Sequence, residues 1–402
     1  MTAPLPPKTS PRSALGALSS PIALPVGTRD LLPARAALRR ALAHRALETF
    51  ARWGYDQVIP PAFEREAVLA RGLGPRARGE LVRFLDPDTG EVLALRPDMT
   101  PQVARIVATR YPEAPRPVRL AYEGSVVRRP RARARRQRQR AQAGIECVGW
   151  HGTDADAEAI ATTMAALTAL GLEGLRVELS HAGLLTPLVD ALPAVLREPV
   201  ADALTARDTC TWQDLLHDHP DARAILEALD GLAGDGATLD AATHVPALGA
   251  AFPGPLEALG SLREALMGIG LGEALLFDLG ELRGRGYYTG VFFQVFCPGS
   301  AEAVATGGRY DDLLGRYGVD LPATGAALDL EAVEEALSAQ GHIPPPPVFR
   351  RVLVTGTGEA RRAHAARLRA AGCQVAELEG GDPEAARAYA EAGGFDEVVQ
   401  TD

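Results

Sequence analysis

Between Arg128 and Arg140, eight of thirteen residues are arginine, in a chain of 402 residues whose net charge is −9. Guanidinium groups at this density offer forked donors to anions, and composition alone reads the run as a solvated basic loop or a nucleic-acid patch. Three further segments hold groups with recognition chemistry: Leu95-Arg96-Pro97-Asp98-Met99-Thr100, Leu282-Arg283-Gly284-Arg285-Gly286-Tyr287-Tyr288-Thr289-Gly290, and Gly307-Gly308-Arg309-Tyr310-Asp311. Taken singly, these read as a loop salt bridge, a strand running into a turn, and a turn with a surface charge. The four cysteines, Cys147, Cys210, Cys297 and Cys373, have no C-x-x-C or C-x-x-H spacing. No metal site is indicated, and free thiols in a reducing cytosol are expected.

The elements that must position these groups follow from patterning. Two apolar strands, Val118 to Val127 and Gly144 to Val148, flank a hairpin loop that carries the positive charge. An alanine-rich amphipathic helix is predicted from Ala34 to Trp53, stopping at Gly54, with a strand from Tyr55 to Glu64 after it. Residues 188 to 270 are rich in Ala, Leu and Asp with helical periodicity, and read as a helical insertion. A helix from Asp329 to Gln340 stops at Gly341, and Pro344 to Pro347 form a semi-rigid spacer. Beyond it the pattern is strand Arg351 to Val354, helix Glu359 to Ala371, strand Gln374 to Leu378, helix Pro383 to Ala392 and strand Glu397 to Gln400.

Hydrophobic content of 47% supports real cores, and the overall acidity argues against general nucleic-acid affinity. No apolar run reaches the ~18 residues that a membrane span needs, and Pro21 and Pro25 interrupt the amino-terminal ones, so residues 1–24 are expected to be a disordered leader. The division expected is 1–24, a main domain 25–340, a Pro-rich linker 341–349 and a small α/β unit 350–402.

In order and spacing the motifs resemble the class II histidyl-tRNA synthetase family. Gly27-Thr28-Arg29-Asp30-Leu31-Leu32-Pro33 is similar to its G-T-R-D-I-L-P opening. From Gly124 to Glu146 the chain aligns without a gap on the family's second motif, matching at Arg128, Arg131, Arg136, Arg138, Gln139, Gln142, Gly144 and Glu146. Pro322 to Val333 resembles the third motif, P-A-x-G-F-A-x-G-L-E-R-L. The resemblance implies an α+β fold, an antiparallel sheet flanked by helices, with the truncated terminal unit similar to part of an anticodon-binding domain. It implies a homodimer through the first helix and strand. It also implies a histidine site: Asp98 and Thr100 for the α-ammonium, Gln142 and Glu146 facing the amino acid, Arg283 for the carboxylate, and Tyr287 and Tyr288 walling the imidazole. Arg128 falls on the arginine that holds the α-phosphate. An anion-pairing arginine, an ammonium-pairing carboxylate and two amphipathic rings suit a zwitterion with a polar heterocycle.

On the nucleotide side the chain departs from the pattern. The acid that reads adenine is Pro130, the third-motif glycine is Asp329, and the arginine that pairs with the triphosphate is Ala332. A carboxylate in that place repels a polyphosphate, and loss of the fork forfeits about 1.5–3 kcal/mol. The acid before the tyrosine pair is Gly286, which alters the histidine side. With Gly280 to Gly290 and Arg136 to Arg138, these departures look closer to a regulatory branch of the family, whose members activate the short catalytic subunit of ATP phosphoribosyltransferase at the first step of histidine biosynthesis. That reading implies no aminoacylation, no cofactor, no tRNA and no membrane, with histidine as effector and a hetero-oligomer around a homodimer. The alternatives are an active histidyl-tRNA synthetase with degenerate ATP motifs and an RNA-binding module built on the arginine loop.

Overall fold

Pro33, whose missing N–H is not needed at a helix start, opens helix α1 (Pro33–Arg52), and Gly54 in the left-handed region at φ +83° ends it. The computed structural model describes residues 23–129, 137–343, 349–380 and 382–401. Most of the expected leader, the Pro344 to Pro347 spacer, Pro130, Arg131 and Arg136 lie outside them. The chain divides into two compact units, one ending at Ile343 and one starting at Pro344.

In the first unit, β1 (Asp56–Gln57), β2 (Phe63–Arg65), α2 (Glu66–Arg71), α3 (Pro75–Arg78), β3 (Arg83–Leu85), β4 (Val92–Leu95) and α4 (Thr100–Arg110) lead to a long hairpin, β5 (Val118–Val127) and β6 (Gln139–Val148). Helix α5 (Thr153–Ala169) and β7 (Arg176–His181) precede a helical segment: α6 (Ala182–Ala191), α7 (Ala194–Thr205), α8 (Thr209–Leu215), α9 (Pro220–Asp230), β8 (Ala233–Gly234), α10 (Gly236–His244), α11 (Pro246–Ala251) and α12 (Pro253–Gly268). Then come β9 (Leu275–Asp278), β10 (Val291–Phe296), β11 (Ala305–Arg309), α13 (Asp312–Gly315), β12 (Ala323–Asp329) and α14 (Leu330–Gln340).

Nine strands form one sheet in the order β1-β5-β6-β12-β11-β10-β7-β9-β8. Its centre is antiparallel; β1 with β5 and β7 with β9 pair in parallel, so the sheet is mixed rather than purely antiparallel. β2, β4 and β3 make a separate small sheet. The strand expected from Tyr55 to Glu64 is thus two short pieces in different sheets, because Pro60 and Pro61 cannot donate to a ladder. Helix α1 buries Leu42, Ala43, Ala46 and Phe50 at helical spacing, and alanine-rich α5 packs between α1 and α12 over the sheet. The core is continuous from Phe50 through Ile145, Ile160 and Phe293 to Trp212 in the helical segment.

The second unit is β13 (Arg351–Gly356), α15 (Gly358–Ala370), β14 (Gln374–Glu379), α16 (Pro383–Gly393) and β15 (Glu397–Gln400). Its sheet runs β14-β13-β15, all parallel, with α15 on a core of Val352 and Val354 and α16 on Leu353. No helix among the described residues is long and apolar enough to cross a membrane.

Candidate ligand-binding site

On the open face of the central strands lies a cavity of about 500 Å³, lined by Asp98, Thr100, Arg128, Gln142, Arg283, Tyr287 and Tyr288 together with Tyr310. Seven of the eight site residues expected from sequence therefore converge, from α4, the β5–β6 hairpin and the loop between β9 and β10. The eighth, Glu146, does not line the cavity. It is 2% exposed on β6, opposite Gly325 on β12, and a Cβ on Gly325 would lie 2.0 Å from its Oε2. The glycine is what lets this carboxylate lie across the neighbouring strand.

Asp98 is held from two sides: Arg128 Nη2 donates to its Oδ2 at 3.1 Å and the Thr100 amide to its Oδ1 at 3.3 Å. Arg128 is itself fixed through Nε to the Pro97 carbonyl, 2.6 Å. Arg96 turns away from the ligand side and ties strands together, donating to the carbonyls of Ser125 (2.7 Å) and Pro60 (2.9 Å). The aromatic wall is a chain of rings: Tyr287 lies 5.0 Å from Tyr288, edge-on, and 5.4 Å from Tyr310, while Tyr288 stacks on Phe292 at 5.6 Å. Burial, then the nearby Asp98 carboxylate, pushes the Tyr287 and Tyr288 hydroxyls up, so both are neutral donors. Beneath them, Glu146 is raised well above the usual carboxylate range by burial, which the Thr100 and Tyr122 hydroxyls only partly offset. On the cavity lining itself, the Tyr310 hydroxyl and Gln142 Oε1 are buried with no hydrogen-bond partner among the described residues. Polar atoms left unpaired beside a cavity suit a ligand that brings its own donors and acceptors.

Arg309 of the G-G-R-Y-D segment points the other way. It forks onto Asp156 of α5, with Nε at 3.0 Å and Nη2 at 2.9 Å, and donates to the Gly152 carbonyl at 2.8 Å. It anchors α5 and leaves Tyr310 to face the cavity.

The nucleotide side is rebuilt rather than merely emptied of its arginine. Asp329 caps α14, accepting from the amides of Glu331 (3.0 Å) and Ala332 (3.1 Å), and pairs with Arg140 Nε at 2.9 Å. Arg140 also donates to Glu302 at 2.6 Å. The Asp329 carboxylate that composition presents as a bare repulsive charge is thus a helix cap with its own countercharge. Ala332, 2% exposed, belongs to the core beneath α14 and does not line the cavity.

A third compartment of the cavity has no counterpart in the sequence reading. Glu178 (β7), Asp278 (β9) and Glu281 bring carboxylate oxygens within 4.8 Å of one another. Gln294 Nε2 bridges two of them, at 3.2 Å from Glu178 and 3.0 Å from Glu281. Arg207 pairs with Asp278, and Arg283 Nε donates to Glu281 at 2.9 Å. The one local signal was polar Glu178 between buried Val177 and Leu179, which marks a face but no cavity.

Burial and the neighbouring Glu281 carboxylate raise Glu178 from 4.5 to about 7. A raised carboxylate contributes most to stability below its unfolded pKa and loses that contribution as pH rises through the folded one. Glu178→Gln is therefore expected to match the parent near pH 4.5 and exceed it by about 1–2 kcal/mol at pH 8, the full linkage figure being reduced because the group is half-buried. Thermal melts at both pH values check this; equal gains at both would contradict it.

The family model described as histidyl-tRNA synthetase matches residues 27–333. An ATP phosphoribosyltransferase regulatory subunit of Anaeromyxobacter dehalogenans is 42% identical over 324 residues, 79% of this chain and 91% of the relative. One of Symbiobacterium thermophilum is 36% identical over 382 residues, covering 89% and 92%. A solved Bacillus halodurans structure, described as an ATP phosphoribosyltransferase regulatory subunit/histidyl-tRNA synthetase, superposes with a TM-score of 0.79 at 26% identity, over 95% of this chain and 99% of that one. The histidyl-tRNA synthetase of Nostoc, at 19% identity and a TM-score of 0.72, shares the fold. The chain belongs to the histidyl-tRNA synthetase family and, within it, to the ATP phosphoribosyltransferase regulatory subunits.

Proposed function

We propose that this chain makes no covalent bond itself, binds histidine in the cavity between Asp98 and Arg283, and activates a short-form ATP phosphoribosyltransferase catalytic subunit in a cytoplasmic hetero-oligomer. One observation carries the reading: groups suited to an amino-acid zwitterion converge, while on the nucleotide side the Arg140 guanidinium is already taken by Asp329 and Glu302. Asp98 takes the ammonium, Arg283 the carboxylate, and Gln142 and the tyrosines the imidazole; Arg128 holds Asp98 in place.

A homodimer core is part of the proposal. Ile59 is 82% exposed, and on the small sheet Phe63 and Phe84 on one face and Leu85 and Val92 on the other are exposed too, apolar side chains of the kind that partners cover. The terminal α/β unit is proposed to be a shortened anticodon-binding-like domain without a tRNA role. The test is to mix the chain with the short catalytic subunit at micromolar concentration, with size-exclusion chromatography beside a phosphoribosyltransferase assay. One large complex with higher activity and sharper histidine inhibition is expected; two separate peaks with unchanged activity would refute the role.

A further inference from the structure

Arg283, the residue assigned to the ligand carboxylate, already holds a carboxylate of its own chain. Its Nε lies 2.9 Å from Glu281 Oε1, and both side chains line the same cavity. The Arg283 side chain is 42% exposed and free to turn, whereas Glu281, at 11%, is tied down by Gln294. Around Glu281 the facing groups are Glu178 from β7, Asp278 from β9, neutral Gln294 from β10 and Arg207 from the segment after α7. Three carboxylates thus share two guanidinium groups, and one of those two is the ligand's own arginine.

Resting on the histidine reading above, we propose that Glu281 is an internal competitor for Arg283: it occupies the arginine in the ligand-free pocket, and amino-acid binding is an exchange of one carboxylate for another. The exchange leaves Glu281 beside Glu178 and Asp278 with Arg207 as the remaining countercharge. Like charges at this spacing are relieved by taking up a proton, and Glu178, which burial and Glu281 already hold up at about 7, is the acceptor. Binding of a carboxylate ligand is therefore linked to proton uptake and weakens as pH rises above about 7. The competition acts only on ligands that bring a carboxylate.

Calorimetric titration of the full chain with L-histidine at pH 8, in two buffers of different ionisation heat, tests this. Glu281→Gln keeps the acceptor for Gln294 and removes the charge; it is expected to tighten histidine by roughly 3- to 10-fold and to abolish most of the proton uptake. Histamine, which has the ring and the amine but no carboxylate, is expected to bind parent and variant alike. In an Arg283→Ala background the Glu281→Gln gain disappears. Glu281→Ala, as a second variant, tightens histidine in the same direction. Unchanged or weaker histidine binding in both Glu281 variants, with the parent still binding, overturns the exchange alone; a parent that gives no histidine heat overturns the histidine site and the exchange together.

Discussion

Histidine-dependent exchange of pyrophosphate into ATP is expected to run roughly 10²- to 10⁴-fold below that of an aminoacylating family member, because two charge-assisted nucleotide contacts worth about 1.5–3 kcal/mol each are gone. The triphosphate arginine is Ala332, a core methyl, and the adenine-reading acid is Pro130. Nor does a vacant phosphate site wait for a compensating residue. Arg140, the guanidinium beside Asp329, is bridged to Asp329 and Glu302 at 2.9 and 2.6 Å. A polyphosphate entering there would break both pairs while meeting the Asp329 charge at short range. Radiolabelled pyrophosphate exchange at micromolar protein, with saturating ATP and histidine, measures this; robust exchange would instead favour the synthetase alternative.

The largest effect on stability is expected at Arg309. Its guanidinium and the Asp156 carboxylate are about nine-tenths buried, and removing one member of such a pair costs about 3–5 kcal/mol because the other is left buried without its countercharge. Arg309→Ala should therefore unfold the first unit at markedly lower denaturant. Asp156→Asn should be milder, since Arg309 keeps the Gly152 carbonyl at 2.8 Å and Asp311 at 3.2 Å. The sign of the pH dependence follows from burial, which raises Asp156 against the pull of Arg309. Without the arginine it rises further, so the variant's stability is retained at low pH and lost as pH rises through the new folded value. Urea titrations at pH 5 and pH 8 should show the Arg309→Ala deficit growing with pH; a deficit under about 1 kcal/mol at pH 8 would mean the pair contributes little.

Local rules carried the sequence reading far where backbone chemistry acts over a few residues. Helix α1 begins at a proline and ends at a left-handed glycine, α14 begins at a capping aspartate and stops at Gly341, and the strands and helices of the terminal unit fall within about two residues of their expected bounds. Strand β6 was less legible. It starts at Gln139 rather than Gly144, because polar Gln139 to Ala143 pair with Ser125, Val126 and their neighbours on β5, and a partner strand overrides weak propensity.

At the site, residues gathered in short motifs were readable, and those gathered only by folding were not. Asp98, Arg128 and Tyr288 announce themselves by their neighbours in sequence. Glu178 and Asp278 meet only because β7 and β9 pair in parallel across a helical segment, and neither sits in a motif. The cation partner of Asp329 was hidden for the same reason. Arg140 sits within a run of arginines, and nothing in the run singles it out until β6 and β12 align Gln142 against Asp329.

The cap that Asp329 places on α14 bears on how reversible this pocket is over evolutionary time. A single substitution back to glycine would free two helix amides and strip Arg140 of one of its two anions, yet Ala332 would remain a methyl inside the core, where an arginine has no room. Each first step toward the family's nucleotide-binding pattern lowers stability before any binding is gained. The departure is in this sense a ratchet: Asp329 holds up the helix beside it, and selection on the fold alone keeps it there.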